Sequence, residues 1–184
     1  NYLDMDGLVC ISADHYGGAV QATEYLCKLG HCKIGLLSGR FSPQVSEARI
    51  EGFVKTLAKY DIPVDDRFIA DIEPALEDGE EIMTRMLREV DRPTAFFCTN
   101  DTIAAGAMKA VTRAGLRVPE DIAIIGFDDS YISRVVEPEL TTVRIDAAKM
   151  GCLAMQTLFD LIAGMPVEKA HIQIPTELIV RGTA

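Results

Sequence analysis

Four short apolar runs, rich in β-branched and aromatic residues, each stop at a cluster of small and polar residues. Amphipathic stretches of helical length separate these runs. A chain that alternates strands and helices in this way predicts a parallel sheet with helices on both faces. The expected fold class is therefore α/β, with a doubly wound parallel sheet. The runs are Ile34–Leu37, Phe68–Ala70, Ala95–Cys98 and Ile122–Gly126.

The order of the strands in this sheet follows from two rules of topology. Crossovers between parallel strands are right-handed, and a doubly wound sheet reverses its strand order once. The strand Lys33–Leu37 is then expected between Phe68–Ala70 and Ala95–Cys98, with Ile122–Ile125 beyond. A single strand, Ile172–Val180, is expected to close the chain.

The net charge of −10 argues against nucleic-acid binding by this segment. Contacts to phosphate backbones require clustered Lys and Arg, which the sequence lacks. No stretch approaches the ~20 consecutive apolar residues of a membrane span. Five cysteines, an odd number, fit reduced thiols in the cytoplasm better than a disulfide framework. Because Cys27, His31 and Cys32 lack the spacing of a zinc site, no metal or cofactor is expected.

Polar residues at the carboxyl ends of the strands predict a ligand pocket at that edge of the sheet. Arg49, Asn100 and Asp128 are the candidate side chains, since a guanidinium, an amide and a carboxylate suit a polyhydroxylated ligand. Two alternatives stay open. Asn100 could serve only as a helix cap, with Asp101 a cap or turn residue. Of Asp128 and Asp129, one could cap the following turn while the other faces the ligand.

Arg49 could instead be a surface residue that pairs with Glu47 or Glu51. Helical positions two residues apart do not face each other, so this alternative is the weaker one.

The sequence carries no recognisable catalytic arrangement, and an enzyme is not expected. It contains no Gly-x-Ser-x-Gly elbow, and Ser38-Gly39-Arg40-Phe41 lacks the spacing of a phosphate-binding loop. The histidines have no evident nucleophile partner and are interpreted as turn or surface residues. They are His15, His31 and His171.

A series of motifs, in this order and spacing along nearly the whole chain, forms a specific pattern. It resembles the effector-binding domain of the lac repressor/galactose repressor family of bacterial transcription regulators. In chain order the motifs are Tyr25-Leu26-x-x-Leu29-Gly30-His31-x-Lys33-Ile34, Ser46-x-x-Arg49-x-x-Gly52-Phe53, Phe97-x-Thr99-Asn100-Asp101-x-x-Ala104-x-Gly106-Ala107, Gly115-x-x-Val118-Pro119-x-Asp121-Ile122, Gly126-Phe127-Asp128-Asp129, Pro138-x-Leu140-Thr141-Thr142-Val143, Met150-Gly151 and Pro175-x-Glu177-Leu178-x-x-Arg181.

The resemblance implies the type I periplasmic-binding-protein fold, in which two α/β subdomains enclose the ligand in a cleft. Residues 1–12 would be a remnant of the N-terminal subdomain with the first crossover. Residues 13–143 would form the C-terminal effector-binding subdomain, and 144–171 the returning helix of the N-terminal subdomain. Residues 172–184 would be the last strand, rejoining the C-terminal subdomain. Most of the N-terminal subdomain and the helix-turn-helix are expected to be missing.

The resemblance also suggests roles for individual residues. Arg49 matches the arginine that reaches the effector, Asp128 the carboxylate that takes ligand hydroxyls, and Asn100 the amide at the pocket edge. Asp4 falls near a family aspartate at the cleft. Family members often place an aromatic residue where this chain has Ile72-Glu73-Pro74, so a stacking contact with a sugar is not expected there.

The expected function is that of a small-molecule sensor in a cytoplasmic, homodimeric regulator, with a sugar or related polyol as effector. Operator DNA would be bound through the missing N-terminal domain and not through this segment. The dimer contact is expected to use the helix Thr102–Ala114 and the segment Tyr131–Val135. The alternative is an extracytoplasmic sugar-binding protein of a transport system. The identity of the effector, and whether it induces or corepresses, stay open.

Overall fold

Helices and strands alternate along most of the chain, as the apolar pattern predicts. The computed structural model describes residues 8–165 and 170–184. Single 3₁₀ turns occur at Asp66–Phe68 and Tyr131–Arg134. The elements are β1 (Cys10–Ala13), α1 (His15–Lys28), β2 (Ile34–Gly39), α2 (Pro43–Lys59), β3 (Ile69–Ile72), α3 (Leu76–Met86), β4 (Ala95–Cys98), α4 (Asp101–Arg113), β5 (Ala123–Asp128), β6 (Thr141–Arg144), α5 (Ala147–Ile162), β7 (His171–Ile174) and β8 (Glu177–Ile179).

The main sheet has six strands in the order β3-β2-β4-β5-β6-β8. All neighbours from β3 to β6 are parallel, and β8 is antiparallel to β6. The predicted order is confirmed, because β2 lies between β3 and β4 with β5 beyond. The fold class is also as predicted: an α/β domain with a doubly wound sheet.

Each face of the main sheet carries its own apolar core. Phe96 and Phe97 are adjacent in β4, fully buried, and point to opposite faces, as successive strand residues must. Phe96 packs with residues of α3 and α4, whereas Phe97 packs with Phe53 of α2 and residues of α1. A strand buried on both sides therefore reads as a continuous apolar run, which is the pattern that the sequence shows.

The predicted single strand Ile172–Val180 is wrong. Two strands, β7 and β8, occupy this region and belong to different sheets. The strand β7 pairs in parallel with β1 in a separate two-stranded sheet, while β8 joins the main sheet beside β6. The break falls at Pro175-Thr176, where proline lacks the N–H that a continuous ladder would need. The boundaries proposed for the two subdomains stay a prediction.

The helix α5 follows β6 and lies apart from the main sheet. Thr157 is its one buried residue, and much of its apolar surface faces outward. The exposed residues include Leu158, Leu161 and Ile162, together with Met155 and Phe159.

Close packing of α3 on α4 depends on a glycine. A Cβ atom on Gly106 would lie 2.8 Å from the backbone nitrogen of Glu80 and closer still to the carbonyl oxygen of Leu76. The matched position is Gly151 in α5, where a Cβ would meet nothing within 4 Å.

We expect Gly106→Ala to lower the free energy of unfolding by about 1–3 kcal/mol, because backbone atoms cannot yield as a flexible side chain can. Gly151→Ala should raise it by about 0.5–1 kcal/mol, because alanine loses less entropy than glycine in an open helical position. Urea unfolding followed by circular dichroism checks both variants. Equal effects of the two substitutions would contradict this account of the α3–α4 contact.

Candidate functional site

A buried arginine lies at the centre of the carboxyl edge of the main sheet. Arg49 projects from α2 and is 3% exposed. Its Nη2 is 3.3 Å from Oδ1 of Asp128 and 3.2 Å from Nδ1 of His15, and its Nη1 donates to the carbonyl oxygen of Thr99. The guanidinium therefore joins α2 to the ends of β4 and β5 and to the start of α1.

Aromatic faces cover the same guanidinium. The Cζ atom of Arg49 is 3.9 Å from the ring centroid of Phe127 and 5.1 Å from that of Phe41. Arginine tolerates such an environment because its planar, weakly hydrated guanidinium stacks on aromatic rings while its edge still donates hydrogen bonds. The alternative of a surface arginine paired with Glu47 or Glu51 is therefore wrong.

Asp128 is placed at the open edge by an unusual backbone. Its φ angle is +109°, a region that residues with a Cβ seldom adopt, and its side chain is 38% exposed. Partial burial raises the pKa of the Asp128 carboxyl to about 6, and nearby Asp101 adds to the rise while Arg49 opposes it. The carboxylate thus has one oxygen on Arg49 and a surface exposed at the edge of the sheet.

His15 is a site residue that the sequence analysis missed. It begins α1, and the interpretation as a turn or surface histidine overlooked its contact with Arg49. Burial, together with the charge of Arg49, lowers the pKa of His15 to about 4. Because arginine can only donate, Nδ1 accepts and the proton of the neutral ring lies on Nε2. The position after Asp14, which caps α1 by accepting from Gly17, was the one available signal.

Asn100 acts as a helix cap, in agreement with the simpler of its two interpretations. Its side-chain oxygen accepts from the backbone nitrogen of Ile103 at 2.8 Å. The residue is 8% exposed, and its side chain makes no hydrogen bond to Arg49 or Asp128 in the part of the chain that the structure describes. A contact between its amide nitrogen and an effector stays a prediction.

The two other aspartates of this region have structural partners. Asp101 accepts from Thr142 Oγ1 at 2.5 Å and from the backbone nitrogen of Ser130 at 2.6 Å. Asp129 accepts from Arg144 and Arg181. Burial alone would raise the pKa of Asp129, but the hydrogen bonds from its arginine partners lower it to about 2. Of the Asp128-Asp129 pair, Asp128 faces the open edge and Asp129 faces inward.

Three buried polar atoms at this edge have no hydrogen-bond partner among the described residues. They belong to residues at the end of β2 and at the start and middle of α2: Ser38 Oγ, Ser42 Oγ and Arg49 Nε. Buried polar groups without partners are rare and call for an explanation such as a bound water or ligand. Their concentration here marks the edge as a place that can take up hydrogen-bonding molecules.

Asp4 lies outside the described residues. The Ile72-Glu73-Pro74 segment lies near Arg40, which bonds to Asp71 and Glu73 across the ends of β2 and β3. Among residues 8–165 and 170–184, no group of three or more His, Cys, Asp or Glu side chains is placed to hold a metal ion. No helix in the same ranges is both long and apolar enough to cross a membrane.

The fold matches a known domain family along most of the chain. A model for the periplasmic binding protein-like domain matches residues 23–184. The transcriptional repressor PurR of Pasteurella multocida (strain Pm70), described as HTH-type, is 38% identical over 174 residues, which are 93% of this chain and 52% of PurR.

Two solved structures are similar in both fold and sequence. A regulatory protein of the LacI family from Chloroflexus aggregans superposes with a TM-score of 0.92 at 32% identity, covering 99% of this chain and 65% of that one. The lac repressor bound to ONPG in its repressed state gives 0.87 at 33% identity, covering 95% and 52%. The chain therefore belongs to the periplasmic binding protein-like domain family, in the form of the effector-binding domain of lac repressor/galactose repressor regulators. It spans about half the length of the curated relative described above.

The two titratable partners of Arg49 give stability opposite pH dependences. Between pH 3.8 and about 6 the folded chain holds more protons on Asp128 than the unfolded chain, so the free energy of unfolding falls as the pH rises. Between about pH 4 and 6.5 the unfolded chain holds more protons on His15, so the free energy of unfolding rises with pH.

Removing either group should expose the contribution of the other. Relative to wild type, Asp128→Asn should make the free energy of unfolding rise more steeply between pH 4 and 6. His15→Asn should make it flatter or falling, since the amide oxygen can still accept from Arg49. Urea unfolding across this range measures both slopes. Asp121→Asn is the control, because the pKa of Asp121 is lowered from its ordinary 3.8 by Arg117, so its titration is centred below pH 4 in both the folded and the unfolded chain. Unchanged slopes in both site variants would refute the assignment.

Proposed function

We propose that this chain is the small-molecule sensing part of a bacterial transcription regulator, and that it binds a sugar or related polyol at the carboxyl edge of the main sheet. The observation that carries the proposal is the Arg49–Asp128 pair, held by His15 and Thr99 at that edge. Asp128 would accept from ligand hydroxyls, and Arg49 would hold the carboxylate in place and donate from the edge of its guanidinium. Asn100 and Asp4 complete the proposed set.

The chemistry of the edge favours a neutral, hydroxyl-rich ligand. Arg40 and Arg49 already pair with carboxylates, so neither offers an uncompensated charge to an anionic ligand. The unpartnered hydroxyl of Ser38 can donate or accept, which suits a ligand that presents both kinds of group. The likeness to a lac repressor bound to ONPG agrees with a sugar-like ligand.

Signalling would run through the connections between the two sheets. The chain passes between them after β1, after β6 and between β7 and β8. A ligand that contacts both subdomains would favour one relative orientation over another, and this difference in affinity is the free energy available for changing operator binding. Operator DNA would be bound by another domain of a cytoplasmic regulator, since this segment has a net charge of −10 and no cluster of Lys and Arg in its sequence.

A transport-system binding protein is the less favoured alternative. The fold alone would allow it, but the relatives at 32–38% identity described above are transcriptional repressors or regulators.

The effector assignment can be tested on the full-length protein by thermal shift. We expect at least one of a panel of neutral hexoses and disaccharides to stabilise it, by about 2.7 kcal/mol at ~100 times the dissociation constant. Asp128→Ala should fold but lose this response. Asp121→Ala, which removes an aspartate outside the site, should keep it. Wild-type affinity in Asp128→Ala would overturn the site, and stabilisation by purines alone would overturn the ligand class.

The regulator is also proposed to be a homodimer, since a palindromic operator requires two DNA-binding heads. The contact would use α4 and the segment 131–135, where Tyr131 and Val135 are large, apolar and exposed. Sedimentation of the full-length protein at micromolar concentration should give a dimer, and Tyr131→Asp with Val135→Asp should weaken it. A wild-type monomer would contradict the proposal.

A further inference from the structure

Asp129 is the most heavily bonded carboxylate near the site, although its chemistry is not needed for binding a ligand. Its side chain is 2% exposed. It accepts from Arg181 Nη2 at 2.5 Å, from Arg144 Nε at 2.8 Å and from Arg134 Nη2 at 3.5 Å. Ser133 Oγ donates to the same carboxylate at 3.1 Å. We call Asp129 with these three arginines the arginine clamp.

The arms of the clamp come from different parts of the fold. Arg144 is the last residue of β6, in register with Asp128 of β5, and the chain passes from there into α5. Arg181 follows β8 and is itself held by its bond to the carbonyl oxygen of Leu140 at 2.7 Å. Arg134 lies in the 3₁₀ turn after β5. The clamp thus connects the end of β5 to the strand that leads out of the main sheet.

Two neighbouring residues at the clamp have positive φ angles, which residues with a Cβ seldom adopt. Asp128 has a φ of +109° and Asp129 a φ of +52°. Such conformations persist where the surrounding structure supplies enough contacts to impose them. Asp128 itself has one ionic partner, Arg49, whereas Asp129 has three. The contacts that impose this turn are therefore mainly those of Asp129.

We propose that Asp129 is a positioning residue: the arginine clamp holds the Asp128 carboxylate at Arg49 and ties its position to the strand that leads into α5. The inference rests on the proposed function only in one respect, that Asp128 is the residue that contacts the ligand. A ligand that moves Asp128 would then also strain the arm at Arg144, where the chain leaves the main sheet. The clamp therefore connects the site to the point after Arg144 at which the chain leaves the main sheet.

The test follows the titration of Asp128 in the ligand-free chain by carboxyl-carbon NMR. Asp129→Asn keeps the size of the side chain and the tolerance for positive φ, but it removes the ionic bonds. Without the clamp Asp128 should turn toward water, and its titration midpoint should fall from about 6 toward 3.8 by about one unit or more. Asp121→Asn, which removes a different arginine-bonded aspartate, should leave the midpoint unchanged.

Arg144→Gln separates positioning from a simple effect of charge. If only charge mattered, removing the negative Asp129 would lower the midpoint of Asp128, and removing the positive Arg144 would raise it. If the clamp positions Asp128, both variants loosen the same turn and both lower the midpoint. The milder Arg144→Gln also tests the proposal if Asp129→Asn fails to fold.

A rise of the midpoint in Arg144→Gln would overturn the proposal, and so would an unchanged midpoint in a folded Asp129→Asn. Since this experiment uses no effector, its result is independent of whether a sugar binds. The thermal-shift screen can fail while the clamp is confirmed, and the clamp can fail while Asp128 still binds an effector.

Discussion

The buried charge of Arg49 is the constraint on which the arrangement of the site depends. A guanidinium removed from water is stable only if acceptors surround it, and removing one partner of a buried pair is costly. The acceptors here come from Thr99 after β4, from β5 and from α1, and the rings of Phe127 and Phe41 lie over the guanidinium. These elements can meet at Arg49 only when the doubly wound sheet is correctly assembled. The geometry of the site therefore depends on the fold of the whole sheet.

The neighbouring residues Asp128 and Asp129 show how environment separates two identical side chains. Partial burial raises the pKa of Asp128 to about 6 although Arg49 opposes the rise, whereas several donors lower the pKa of Asp129 to about 2. One carboxylate is left with open surface and titrates near pH 6, and the other is charged at neutral pH. The first suits the proposed contact with a ligand, and the second holds the local geometry through its ionic bonds.

The second sheet gives the chain its two-part character. The strands β1 and β7 pair with each other and not with the main sheet, and α5 leaves large apolar side chains exposed. Among the described residues the chain passes between the two sheets at three points, after Ala13, after Arg144 and at Pro175. Each point directly follows the end of a strand. These passages are the connections through which a ligand would act on the second sheet under the proposed function.

The sequence by itself determined the fold class, the order of β2 to β5, and two polar residues, Arg49 and Asp128, that the structure brings together. These features follow from local patterns: apolar runs mark buried strands, crossovers are right-handed, and polar residues collect where strands end. The tertiary structure decided the rest. In the folded chain His15 contacts Arg49, and Asn100 caps a helix. Asp129 faces inward, and the last predicted strand is divided between two sheets at Pro175. Each of these outcomes depends on a partner far away in the chain, and a local pattern carries no information about which distant residue will supply the donor, the acceptor or the neighbouring strand.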